Sequence, residues 1–98
     1  MRVSKGVQDK LQKILESQGF IVRYEKGSFK GGYCVVHHQK TVIINKFFPL
    51  EGIIQALTEV VKWIEITDKE AMPAELLRLA EKIKTENPSA EPEIEPEL

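Results

Sequence analysis

Cysteine is nearly absent: Cys34 is the single one in 98 residues. With no second thiol in the chain, a secreted disulfide scaffold is excluded and a reducing compartment is expected. Long apolar runs are missing too, none approaching the roughly 20 residues of a membrane-spanning helix. The opening MRVSKGVQDK lacks the apolar stretch of a secretory signal. These absences predict a soluble, cytoplasmic protein with no membrane partner. Aromatic residues are few, four Phe, two Tyr and one Trp, and with the many Ile, Leu and Val they must supply the core. A chain of this length is one domain without need of a metal or disulfide staple, and no cofactor is implied.

The charge is close to balanced overall but not along the chain. Residues 1–46 carry nine Lys or Arg against three Asp or Glu, and residues 47–98 carry five against twelve. Such a division suits either a nucleic-acid face with a masking acidic tail or two halves that attract each other.

The richest apolar stretch is 49–66, PLEGIIQALTEVVKWIEI. Ile53, Ile54, Leu57, Val60, Val61 and Ile64 recur at three- and four-residue steps, and Ala56 and Trp63 widen the stripe. This predicts a central helix needing cover on most sides. Ahead of it, Ser4 is placed to cap a first helix whose face is Val7, Leu11, Ile14 and Leu15, ending at Gln18-Gly19 with the glycine in the left-handed position. Phe20 to Glu25 reads as a strand, 26–32 as a loop, and Tyr33–His38 with Thr41–Lys46 as a hairpin turning on Gln39-Lys40. That turn places Cys34, Val36 and His38 on one face with Thr41, Ile43 and Asn45. Tyr33, Val35 and His37 fall on the other with Val42, Ile44 and Lys46. After Pro73, Leu76, Leu77, Ala80 and Ile83 mark a third helix. The run NPSAEPEIEPEL, 87–98, reads as a disordered, solvated acidic tail. The expected fold is α+β over residues 1–86: a helix, a three-stranded antiparallel sheet, then two helices, with the central helix laid across one sheet face.

Chemistry-bearing residues are sparse. Cys34, His37 and His38 contain metal-ligand types, but adjacent histidines on a strand point to opposite faces, and Cys34 lies about 13 Å from His38 along an extended chain. The same distance deprives a Cys34 nucleophile of its base. The loop KGSFKGG runs into a strand, so it offers no helix N-terminus to a phosphate. Arg23, Lys26, Phe29, Lys30 and Tyr33 combine cations with aromatic rings, the types that bind a nucleic-acid strand.

A hairpin ending in Val-Ile-Ile-Asn (42–45), a short connection and a helix reading Ala-Leu-x-x-x-Val (56–61) is similar to the hairpin and active-site helix of ImmA/IrrE-type zinc metallopeptidases. That family's helix carries His-Glu-x-x-His. The matching positions here are Thr58, Glu59, Val60, Val61 and Lys62, so only the glutamate is present. The resemblance implies a peptidase-like fold without the zinc site, and Glu59 as an ordinary surface residue. KGSFKGGYC, VIINK and the Pro-Leu-Glu helix start also resemble small bacterial proteins of the Bacteroidota type, which implies no function.

The sequence therefore predicts a noncatalytic domain acting through protein contacts or as a homodimer. Ile54, Trp63 and Ile66 of the central helix region are the candidate interface. The alternative is a nucleic-acid-binding module using the Arg23 to Lys46 region.

Overall fold

The computed structural model describes residues 3–26 and 33–86. The expected tail, Phe29 and Lys30 lie outside them. Helix α1 is Lys5–Ser17, strands β1, β2 and β3 are Ile21–Glu25, Tyr33–Val36 and Thr41–Asn45, and helices α2 and α3 are Leu50–Trp63 and Ala74–Glu86. Short 3-10 turns occupy His37–Gln39 and Lys69–Ala71. No described helix is long and apolar enough to cross a membrane.

Local chemistry sets most boundaries. The Ser4 hydroxyl accepts from the Val7 N–H at 3.2 Å and opens α1. Gly19, at φ +88, closes it in a conformation that penalises any side chain with a Cβ. Helix α2 starts after Pro49 and stops at Trp63, three residues before the end of the apolar stretch 49–66, because Ile64 turns to extended backbone. The Lys84 ammonium then donates to the carbonyls of Lys62 and Ile64, satisfying acceptors that the ended helix leaves over.

The sheet is mixed, not antiparallel. Its order is β1-β3-β2, with β1 parallel and β2 antiparallel to β3. Strand directions do alternate along the chain. What sequence patterning could not decide is which neighbour β1 joins, and it takes the free edge of β3. Lys40 secures that edge: its carbonyl accepts from the Ile21 N–H at 2.8 Å and its ammonium donates to the Gln18 carbonyl at 2.9 Å. The ammonium also lies 5.1 Å from the centre of the Phe20 ring.

The hairpin is looser than a two-residue turn. β2 ends at Val36, the chain makes a 3-10 turn, and Lys40 takes a left-handed φ of 47 before Thr41 pairs with Val36. The pairing is displaced by two residues from the expected one. Because side chains alternate with period two, a two-residue slip leaves the faces of the residues within β2 and β3 as expected, whereas His37 and His38 fall in the 3-10 turn and Lys46 beyond β3, so the faces expected for them do not apply. Tyr33, Val35, Val42 and Ile44 share the inner face with Val22 and Tyr24 of β1, and Cys34, Val36, Thr41 and Ile43 share the outer one with Ile21 and Arg23.

The helices form a layer on the inner face. Val35, Val42 and Ile44 pack there with Leu11, Ile14 and Leu15 of α1, with Ile54, Leu57, Val60 and Val61 of α2, and with Leu76, Ala80 and Ile83 of α3. Each large side chain so removed from water contributes roughly 1.5 to 3 kcal/mol before the cost of ordering the chain.

Candidate functional site

The expected interface residues separate. Ile54 is 6% exposed and belongs to the chain's own core, so it offers nothing to a partner. Trp63 and Ile66 are half-buried at the far end of α2. Ile66 lines, with Leu77, a shallow cavity of about 640 Å³ whose charged residues are Glu65, Lys69, Glu81 and Lys84. Trp63 lines a neighbouring one with Phe20 and Lys40. The need for cover that the apolar width of α2 announced is met within one chain by the sheet, α1 and α3.

The cation-aromatic group does not converge either. Arg23 stands on the outer face and ion-pairs with Glu25, two residues along the same side of the strand. Tyr33 stands on the inner face, half-buried, and its hydroxyl donates to Glu59 at 2.9 Å. Lys26 is exposed just beyond β1. Arg23 and Tyr33 thus lie on opposite sides of the sheet, because pleat parity separates them whatever the loop between them does.

Glu59 is consequently not the ordinary surface glutamate that the peptidase resemblance implied. It is half-buried and ties α2 to β2 through Tyr33. Thr58, at the first position corresponding to a zinc ligand, turns its hydroxyl back to the Ile54 carbonyl at 2.7 Å. Cys34 is buried on the face opposite Glu59, and His38 is exposed in the 3-10 turn. Among the described residues no three His, Cys, Asp or Glu side chains are grouped to hold a metal ion.

What the sequence reading missed is the outer face of the sheet. Two cross-strand rows run over it, Ile21-Thr41-Val36 and Arg23-Ile43-Cys34. Cys34 and Thr41 are buried, Val36 and Ile43 half-buried, and Ile21 is 57% exposed. None of these side chains belongs to the core cluster that the three helices cover. A sheet with one solvated face normally alternates apolar and polar side chains, yet Ile21, Val36 and Ile43 are apolar on the side away from the helices. That departure is visible in the strand sequences once the inner face is known. Near the end of β3, Phe47 is 69% exposed, with the Lys46 ammonium 5.4 Å from the centre of its ring.

Comparison with protein families, with curated proteins and with solved structures returned no match.

Proposed function

We propose that this chain is a noncatalytic protein-interaction domain that self-associates through the outer face of its sheet. The observation that supports the reading is the pair of apolar rows around Ile21, Val36 and Ile43, against which no described helix packs. An apolar area of this kind is stabilised when a second surface removes it from water. In a two-fold arrangement the same patch meets itself, so the exposed Ile21 and the accessible parts of Val36 and Ile43 in both copies leave water together. The Arg23-Glu25 pair at the patch edge carries both signs of charge, which suits contact between identical surfaces.

Sedimentation equilibrium over a wide concentration range tests this. The full chain is expected to show a monomer-dimer equilibrium that Ile43→Lys abolishes while circular dichroism remains unchanged. A strict monomer at millimolar concentration would sink the self-association form of the idea. Nucleic acid binding with a steep salt dependence, weakened by a joint Lys26 and Lys30 replacement, would favour the alternative module instead.

A further inference from the structure

Strand β1 forms one edge of the sheet and, among the described residues, is bonded on a single side, to β3. In a parallel ladder every second residue of a strand turns both its N–H and its C=O toward the same neighbour. The Ile21 N–H donates to the Lys40 carbonyl, and the Glu25 carbonyl accepts from the Lys46 N–H. Ile21, Arg23 and Glu25 therefore bond inward to β3, and Val22 and Tyr24 turn their N–H and C=O groups to the open side. Among the described residues no backbone group bonds to those four.

An edge of this kind pairs with an extended chain unless a proline, a bulge or a charge prevents it. β1 has no proline, and its pairing with β3 runs through all five residues without a bulge. Its charges lie on the outer face, Arg23 and Glu25 two residues apart, with the exposed Ile21 beyond them. For an antiparallel neighbour bonded to Val22 and Tyr24, these are the non-hydrogen-bonded positions, where facing side chains stand closest. Such a neighbour is favoured when an acidic residue faces Arg23 and a basic one faces Glu25, and the reverse order sets like charges against each other. The edge thus discriminates by charge order and does not refuse every strand.

A second β1 would satisfy that charge order, with Arg23 facing Glu25 in both directions, but the helix above it stands in the way. α1 lies over β1 on the inner face, where Gln8 and Gln12 hold the Tyr24 hydroxyl and where Val22 and Tyr24 pack against the cluster containing Leu11 and Leu15. Pairing two β1 edges sets the strands about 4.8 Å apart. The two copies of α1 would be drawn toward the same spacing, well inside the roughly 8 to 10 Å that packed helices require. A single extended segment, with no helix above it, meets no such obstacle.

We propose that the β1 edge takes up an extended segment of another polypeptide as an antiparallel fourth strand, with the pattern Lys-x-Glu-x-Val read from its N-terminus. Its Lys faces Glu25, its Glu faces Arg23 and its Val faces Ile21. The residues at x face Tyr24 and Val22, exchange main-chain hydrogen bonds with them, and are small because α1 lies over that side. The contact goes beyond the self-association reading and does not depend on it, since Val36 and Ile43 take no part.

The test is a heteronuclear NMR titration of the full chain, and of Ile43→Lys, with the peptide acetyl-Thr-Lys-Thr-Glu-Thr-Val-Thr-amide. Two further peptides serve as controls, one with its Lys and Glu exchanged and one N-methylated at the threonine that faces Tyr24. Saturable shifts and slowed exchange of the Val22 and Tyr24 amides are expected in both proteins. The exchanged peptide should bind about fivefold more weakly, and the methylated one should not bind. In Arg23→Glu/Glu25→Arg the preference between the first two peptides should reverse, which a loss of folding does not produce. The proposal is overturned if the two amides do not respond to millimolar peptide, if methylation leaves binding intact, or if the charge preference does not follow the variant. Slowed exchange of those amides on raising the protein concentration without peptide would also overturn it, since a second copy would then hold the edge. Should the double variant fail to fold, the three peptides on the unaltered protein decide alone.

Discussion

The side-chain amide of Gln18 meets the peptide groups on both sides of Asp68: Nε2 donates to the Asp68 carbonyl at 2.8 Å while Oε1 accepts from the Asp68 N–H at 2.9 Å. The same oxygen accepts from the Thr67 N–H at 2.9 Å, and Nε2 reaches Ser17 Oγ at 3.0 Å. Gln18 is 5% exposed, so a buried polar group has its donors and its acceptor engaged, and it holds the segment between α2 and α3 against the end of α1. Replacing it with leucine keeps the volume and removes every one of these bonds. Gln18→Leu is expected to lower stability by about 2 kcal/mol, seen as an earlier urea midpoint with an unchanged slope. A midpoint within error of the parent would show that these bonds merely exchange for water at no cost.

Gly19 and Lys40 form the adjoining corner. Gly19 holds φ +88, and a Cβ built on it would stand 3.3 Å from the Lys40 ammonium, which is already fixed by the Gln18 carbonyl and the Phe20 ring. Gly19→Ala therefore incurs left-handed strain and crowds the lysine that secures β1 to β3. A loss of about 1 kcal/mol is expected in denaturant titration. Amide exchange at Ile21 should accelerate more than at Val60, because the damage is at the sheet edge and not in the helix layer.

Tyr24 makes stability sensitive to alkali. Burial holds its phenol above the ordinary value of 10.0, reinforced by the nearby charges of Asp9 and Glu16 and opposed by the hydrogen bond from Gln8. The folded chain keeps a proton that the unfolded chain releases, so this contribution is complete below pH 10 and is lost as pH rises through the folded value. Alkaline unfolding followed by circular dichroism should show that decline in the parent. In Tyr24→Phe the Tyr24-dependent part of the alkaline loss should vanish, at a cost of about 1 kcal/mol near neutrality from the lost bonds to Gln8 and Gln12. An identical alkaline limb in both proteins would exclude Tyr24 as its source.

The sequence alone determined the helices, their buried faces, the Ser4 cap, the left-handed Gly19, and which side chains share each face of the hairpin. These follow from periodicity and from conformations set within a few residues, and the face assignment held for the residues within β2 and β3 because the error in register was an even number, while His37 and His38 left the strand for a 3-10 turn. Only the tertiary structure decided the rest. Whether β1 pairs with β2 or with β3 depends on Lys40 meeting residues some twenty positions earlier. Whether the stripe on α2 faces a partner or its own chain depends on how α1, α3 and the sheet surround it. The Gln18 contacts span 49 and 50 positions, and the bonds from Gln8 and Gln12 to Tyr24 join a helix to a strand. Patterning records which side of an element is apolar. It does not record what comes to lie against that side, because that is set by contacts between residues remote along the chain.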